Sequence, residues 1–151
     1  MPDADRPSLT LTRRYAAPPA RVYAAWTQPA LIARWWQPLP LAGPAHAEVD
    51  LRVGGRYRIV MQACDGETHD VGGEYRVIEP ACRLVFTWAW ASTPQRVSLV
   101  TVEFGADGDG TLLTLTHERF FDAAACDGHR RGWSALLEAL TRDLDTRPEP
   151  A

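Results

Sequence analysis

Lysine is absent from the sequence: all sixteen basic residues are arginine, set against nineteen acidic ones for a formal net charge of −3. The charges are scattered rather than gathered in a basic patch, which argues against nucleic acid as the main partner. Cysteine is scarce and odd in number, at Cys64, Cys82 and Cys126 with no CxxC spacing, so neither a disulfide framework nor a zinc module is indicated. No apolar run approaches the ~18 residues of a membrane span, and no membrane insertion is expected. The opening MPDADRPS lacks the basic region and apolar stretch of a secretory signal, so a cytoplasmic location is expected. Also missing are a GxSxG elbow, a GxGxxG after the first strand and a P-loop. Their absence removes support for the common nucleophilic, dinucleotide-dependent and nucleotide-dependent chemistries, and no cofactor is implied.

What remains is an ordinary globular composition, 46% hydrophobic and 23% charged over 151 residues, enough for one domain with one core. Residues 1–7 and 146–151 read as polar, proline-containing tails around a single domain at 8–145. The stretch SLTLTRRYA alternates with the period of two of a half-buried strand. Pro18 and Pro19 stop it and open a short helix, PPARVYAAWT. A second short helix is expected from Pro29, carrying Leu31, Ile32, Trp35 and Trp36 and ending at Pro38.

From about Ala45 the period of two persists, with turns expected at Gly54-Gly55, Asp65-Gly66, Gly72-Gly73, Glu79-Pro80 and the ADGDG run at 106–110. The implied strands are 45–52, 55–63, 69–79, 83–91, 97–105 and 110–119, an antiparallel meander. After Phe121 the period returns to 3.6. Trp133, Leu136, Leu137, Leu140 and Leu144 then form one stripe of a helix of about twenty residues, with Asp122 as its N-cap. Gly128 and Gly132 lie inside that helix at roughly 1 kcal/mol each relative to alanine. Gly132, beside Trp133, is expected to let the helix approach the sheet.

Alternation assigns to one apolar face Tyr57, Ile59, Met61, Tyr75, Val77, Leu84, Phe86, Trp88, Trp90, Val100, Val102, Phe104, Leu113, Leu115 and His117. Arg58, Glu74, Arg76, Thr87, Thr101, Glu103, Thr114 and Thr116 fall on a solvated face. Seven strands at ~4.8 Å spacing span about 34 Å, whereas a helix is ~10–12 Å across. A single helix cannot cover so wide a sheet unless the sheet curls around it, and such a grip leaves room for an enclosed space.

The runs VYAAWTQPALIARWWQP, EVDLRVGGRYRIVM, GEYRVIEPACRLVFTW, GTLLTLTHERF and HRRGWSALLEAL closely resemble the family of proteins like the C-terminal domain of the activator of heat-shock protein 90 ATPase. That family sits in the START-like, birch-pollen-allergen-like superfamily. The resemblance spans about Leu9 to Leu144. It implies an α+β helix-grip fold: a seven-stranded curved antiparallel sheet wrapped around a long C-terminal helix, with two short helices after strand 1. It also implies a hydrophobic cavity, since the superfamily includes lipid, hormone and polyketide binders as well as some cyclases and aromatases. A chaperone interaction is not carried over, because in the eukaryotic activator the domain follows another that also contacts the chaperone, and here about eight residues precede the first strand.

The expected function is binding of a small hydrophobic or amphipathic ligand between sheet and C-terminal helix. The candidate lining is Tyr57, Ile59, Met61, Tyr75, Phe86, Trp88, Val102, Leu113, Leu115, His117, His129, Trp133 and Leu137. Among these His117 and His129 are the polar groups best placed to meet a ligand. His46, Glu48 and Asp50 share one face of a strand, but their ~6.6–7 Å spacing suits a solvated face better than three metal ligands, so no metal is expected, and Asp50 is expected to bond into the Gly54-Gly55 turn. Two rival readings stand beside this one. The first is a cyclase-like enzyme with His117 or a pocket tyrosine as acid/base and Tyr57, Tyr75 or Arg58 orienting a carbonyl. The second is an interaction module, a chaperone partner or homodimer, using exposed apolar surface.

Overall fold

The computed structural model describes residues 6–37 and 40–146. Strand β1 (Leu9–Tyr15) buries Leu9 and Tyr15. Proline has no backbone N–H for a strand ladder, so Pro18 and Pro19 end the pairing. Pro19 opens helix α1 (Pro19–Thr27) at a first-turn position whose N–H would be unpaired anyway. Helix α1 buries Val22, Ala25 and Trp26, and α2 (Pro29–Trp35) buries Ile32 and Trp35. The helix end expected at Pro38 lies outside the described residues.

Six strands follow as a meander: β2 (His46–Val49), β3 (Arg56–Gln62), β4 (Thr68–Glu79), β5 (Arg83–Trp90), β6 (Ser98–Asp107) and β7 (Gly110–Glu118). The sheet order is β1-β7-β6-β5-β4-β3-β2, antiparallel throughout. The first strand thus closes against the last, with Leu9 opposite His117 and Tyr15 opposite Thr111. Helix α3 (Ala123–Thr146) has 24 residues rather than about twenty and takes in Thr146, which the sequence reading placed in the tail. Asp122 caps it: its Oδ1 accepts from the Ala125 N–H at 2.8 Å. The stripe of Trp133, Leu136, Leu137, Leu140 and Leu144 is buried, each large side chain contributing about 1.5–3 kcal/mol. The Tyr15 hydroxyl donates to the Leu137 carbonyl at 3.1 Å, and Arg34 pairs with Asp143 at 3.1 Å, fixing α3 to β1 and α2.

Four details differ from expectation, each for a physical reason. Gly72-Gly73 is not a turn but the middle of β4, and neither glycine has a positive φ. A Cβ at Gly73 would meet the Thr87 carbonyl oxygen at 1.8 Å, and one at Gly72 the Tyr57 carbonyl oxygen at 2.7 Å. Glycine is required there by close backbone approach, not by turn conformation. A register shift between Tyr75 and Val77 puts Ile78 opposite Leu84, so Ile78 rather than Val77 packs on the core. β2 stops at Val49, because Asp50 already belongs to the turn: its N–H donates to Arg56 O and its carbonyl accepts from the Arg52 N–H. The Asp50 carboxylate takes the Arg52 side chain at 2.8 Å instead of turn amides. Finally, Gly132 does not mark a close approach of α3 to the sheet, since a Cβ there would meet nothing within 4 Å.

Candidate functional site

The open side of Gly132 is one wall of a cleft. Along α3, Ala125, Gly128, His129, Gly132, Trp133 and Leu136 recur every three or four residues and so share one helical face. Opposite them stand Met61 of β3, Trp88 and Trp90 of β5, and Trp36 at the end of α2, enclosing about 240 Å³. Two of the helix positions carry no side chain, and the cleft is the space those side chains would have filled. Four of the six tryptophans line it, with Trp36 5.7 Å from Trp133 edge-on and Trp88 5.0 Å from Trp133 between centroids. No arginine, aspartate or glutamate is among the lining residues. A second, much smaller space of about 20 Å³ lies toward β2 and β3, lined by Trp26, Ile32, Trp36, Val49, Tyr57, Ile59, Tyr75, Phe86 and Trp88. Trp36 and Trp88 border both spaces and form the partition between them.

The polar groups beside the cleft form two closed hydrogen-bond sets. His129 Nδ1 lies 2.7 Å from the Ala125 carbonyl, which only accepts, so Nδ1 carries the proton. Nε2 is then an acceptor, and it takes both the Trp88 indole N–H at 3.2 Å and the Trp90 indole N–H at 3.0 Å. At His117 the tautomer is reversed. Nδ1 accepts from the Trp133 indole N–H at 2.9 Å, so the proton sits on Nε2 and donates to Ser98 Oγ at 2.7 Å. Ser98 in turn donates to the Trp88 carbonyl at 3.2 Å. Burial, reinforced by the neighbouring His129, holds the His117 pKa well below the usual imidazole range, and burial also lowers that of His129. Protonating either ring would put a new N–H against an indole N–H. With both ring nitrogens engaged, neither histidine presents a free lone pair to a substrate.

Of the sequence-derived lining, Met61, Trp88, His129 and Trp133 come together at the larger cleft, and Tyr57, Ile59, Tyr75 and Phe86 at the smaller space. Val102, Leu113, Leu115 and Leu137 line neither and are fully buried in the core, as is His117 behind Trp133. Tyr57 donates to the Thr87 carbonyl at 2.6 Å, and Arg58, on the outer face, holds Asp70 through two nitrogens. Neither is placed to orient a carbonyl inside the cleft. Trp36, Trp90, Ala125, Gly128, Gly132 and Leu136 were missed. The signal was the run of small residues at 125, 128 and 132, on the same helical face as His129 and Trp133. On the outer face His46 Nε2 lies 3.2 Å from Glu48, and among the described residues no group of three or more His, Cys, Asp or Glu is arranged to hold a metal ion. Nor is any described helix long and apolar enough to cross a membrane.

This architecture is shared with solved structures. A protein from Chromobacterium violaceum is 29% identical with a TM-score of 0.79, over 99% of this chain and 100% of its own. A Rhizobium loti protein is 33% identical with a TM-score of 0.75, over 90% and 95%. An HSP90 activator from Plasmodium falciparum is 25% identical with a TM-score of 0.75, over 91% and 96%. None of the curated proteins matches the chain. The family model for activator of Hsp90 ATPase homolog 1-like proteins matches residues 16–145, and the chain belongs to that family.

Proposed function

We propose that the protein binds a small, neutral, apolar molecule in the cleft between β5 and α3. The observation that carries this reading is the pair of glycines on α3, beside Trp133 and facing Trp36, Trp88 and Trp90: the helix gives up propensity at Gly128 and Gly132, and the result is an aromatic-walled space. At about 240 Å³ it lies below the ~300–1,000 Å³ of drug-sized sites, so the ligand is small, of the order of two fused rings. The uncharged lining selects against ions, because a charge moved there from water would meet no partner.

Titration with ethylnaphthalene, followed by calorimetry and tryptophan fluorescence, tests this. The expected result is stoichiometric binding that Gly132→Leu, whose side chain enters the cleft, weakens at least tenfold (about 1.4 kcal/mol) while circular dichroism stays unchanged. Absence of binding, or equal binding by Gly132→Leu, would overturn the reading.

A further inference from the structure

Four of the six indole N–H groups have protein acceptors: Trp35 on the Ala25 carbonyl, Trp88 and Trp90 on His129, and Trp133 on His117. The other two, Trp26 Nε1 and Trp36 Nε1, are buried without a partner. Their residues are only 5% and 3% exposed, so bulk water does not serve them. A buried donor left unpaired is destabilising, and of the two indoles the fold leaves so, Trp36 stands on the partition, where only an acceptor from outside the chain could pair it. Trp36 borders the cleft and the smaller space alike, whereas Trp26 borders only the smaller one.

Building on the ligand-binding reading above, we propose that the ligand of the cleft carries a hydrogen-bond-accepting oxygen, of carbonyl or ether type, which the Trp36 indole N–H takes. The oxygen is neutral, because no cation lines either space to pair a carboxylate. The remaining indoles of the cleft have their N–H groups turned to histidines and offer rings alone. Recognition thus divides into a flat apolar body held by Trp88, Trp90 and Trp133 and one directed bond at Trp36.

The test compares acetylnaphthalene with ethylnaphthalene, which share the ring body and differ in the oxygen. Indole N–H resonances of the nitrogen-labelled protein are followed during titration, and affinities are measured for wild type and Trp36→Phe. The expected result is a downfield shift of the Trp36 N–H with the ketone alone. The variant should lose about tenfold in ketone affinity and less than about threefold in hydrocarbon affinity. Binding of both compounds with no Trp36 shift and an equal loss in the variant overturns the oxygen assignment and leaves the cleft reading standing. If neither compound binds the wild type, the cleft reading fails and this inference with it. Should Trp36→Phe not fold, the presence or absence of the wild-type shift decides.

Discussion

At the scale of single residues, the cleft wall depends on two imidazoles being neutral. His117 and His129 each accept indole N–H bonds on one nitrogen and donate from the other, and burial disfavours the cation in both. A histidine whose folded pKa lies below its unfolded value leaves the unfolded chain binding more protons as the medium acidifies. The contribution is therefore complete at neutral pH and is lost as pH falls below the unfolded value of about 6.5. Urea midpoints measured from about pH 7.5 down to pH 5 should fall, with His117 alone contributing a slope approaching about 1.4 kcal/mol per pH unit. His117→Phe should be less stable at neutral pH, because Ser98 and the Trp133 N–H lose their partner, yet should show a shallower acid slope. That His117 points inward was legible from alternation along β7. Its partners were not, because Ser98 and Trp133 come from β6 and α3, and ring rotation is fixed only when those elements pack.

Elements show where glycine is read wrongly from sequence. A Gly-Gly pair is the same string whether it supplies a turn or lets two strands meet. At 54–55 it makes a turn, with φ of 87° at Gly54, and at 72–73 it makes a close crossing of β4 with its neighbours. Gly73→Ala should accordingly cost at least about 3 kcal/mol in urea unfolding, since backbone rather than a flexible side chain blocks the Cβ. Gly132→Ala, whose Cβ meets nothing, should instead stabilise by about 1 kcal/mol through helix propensity, measurable in the same experiment. The two substitutions are chemically identical and opposite in sign. Strand faces were legible because side chains alternate with a period of two wherever the pairing is regular. The shift from Val77 to Ile78 was not, because a bulge leaves no compositional mark.

For the whole molecule, the arithmetic of sheet width against helix diameter already required a curled sheet gripping α3, and the seven-stranded antiparallel sheet is curved. What it left open was where the grip is loose, which depends on the side chains missing from one face of one helix. Occupancy there acts on the entire fold: ethylnaphthalene at a hundred times its dissociation constant should add about 2.7 kcal/mol and raise the melting temperature by about 5–10 °C in a thermal scan. The closure of β1 on β7 has a further consequence for how the protein is made. Leu9 leaves the ribosome early, but its partner His117 is added more than a hundred residues later, and α3 later still. At about 5–20 residues per second the growing polypeptide carries an uncovered apolar sheet face for several seconds, so folding waits for α3 to emerge and the nascent chain is most open to misassociation just before it.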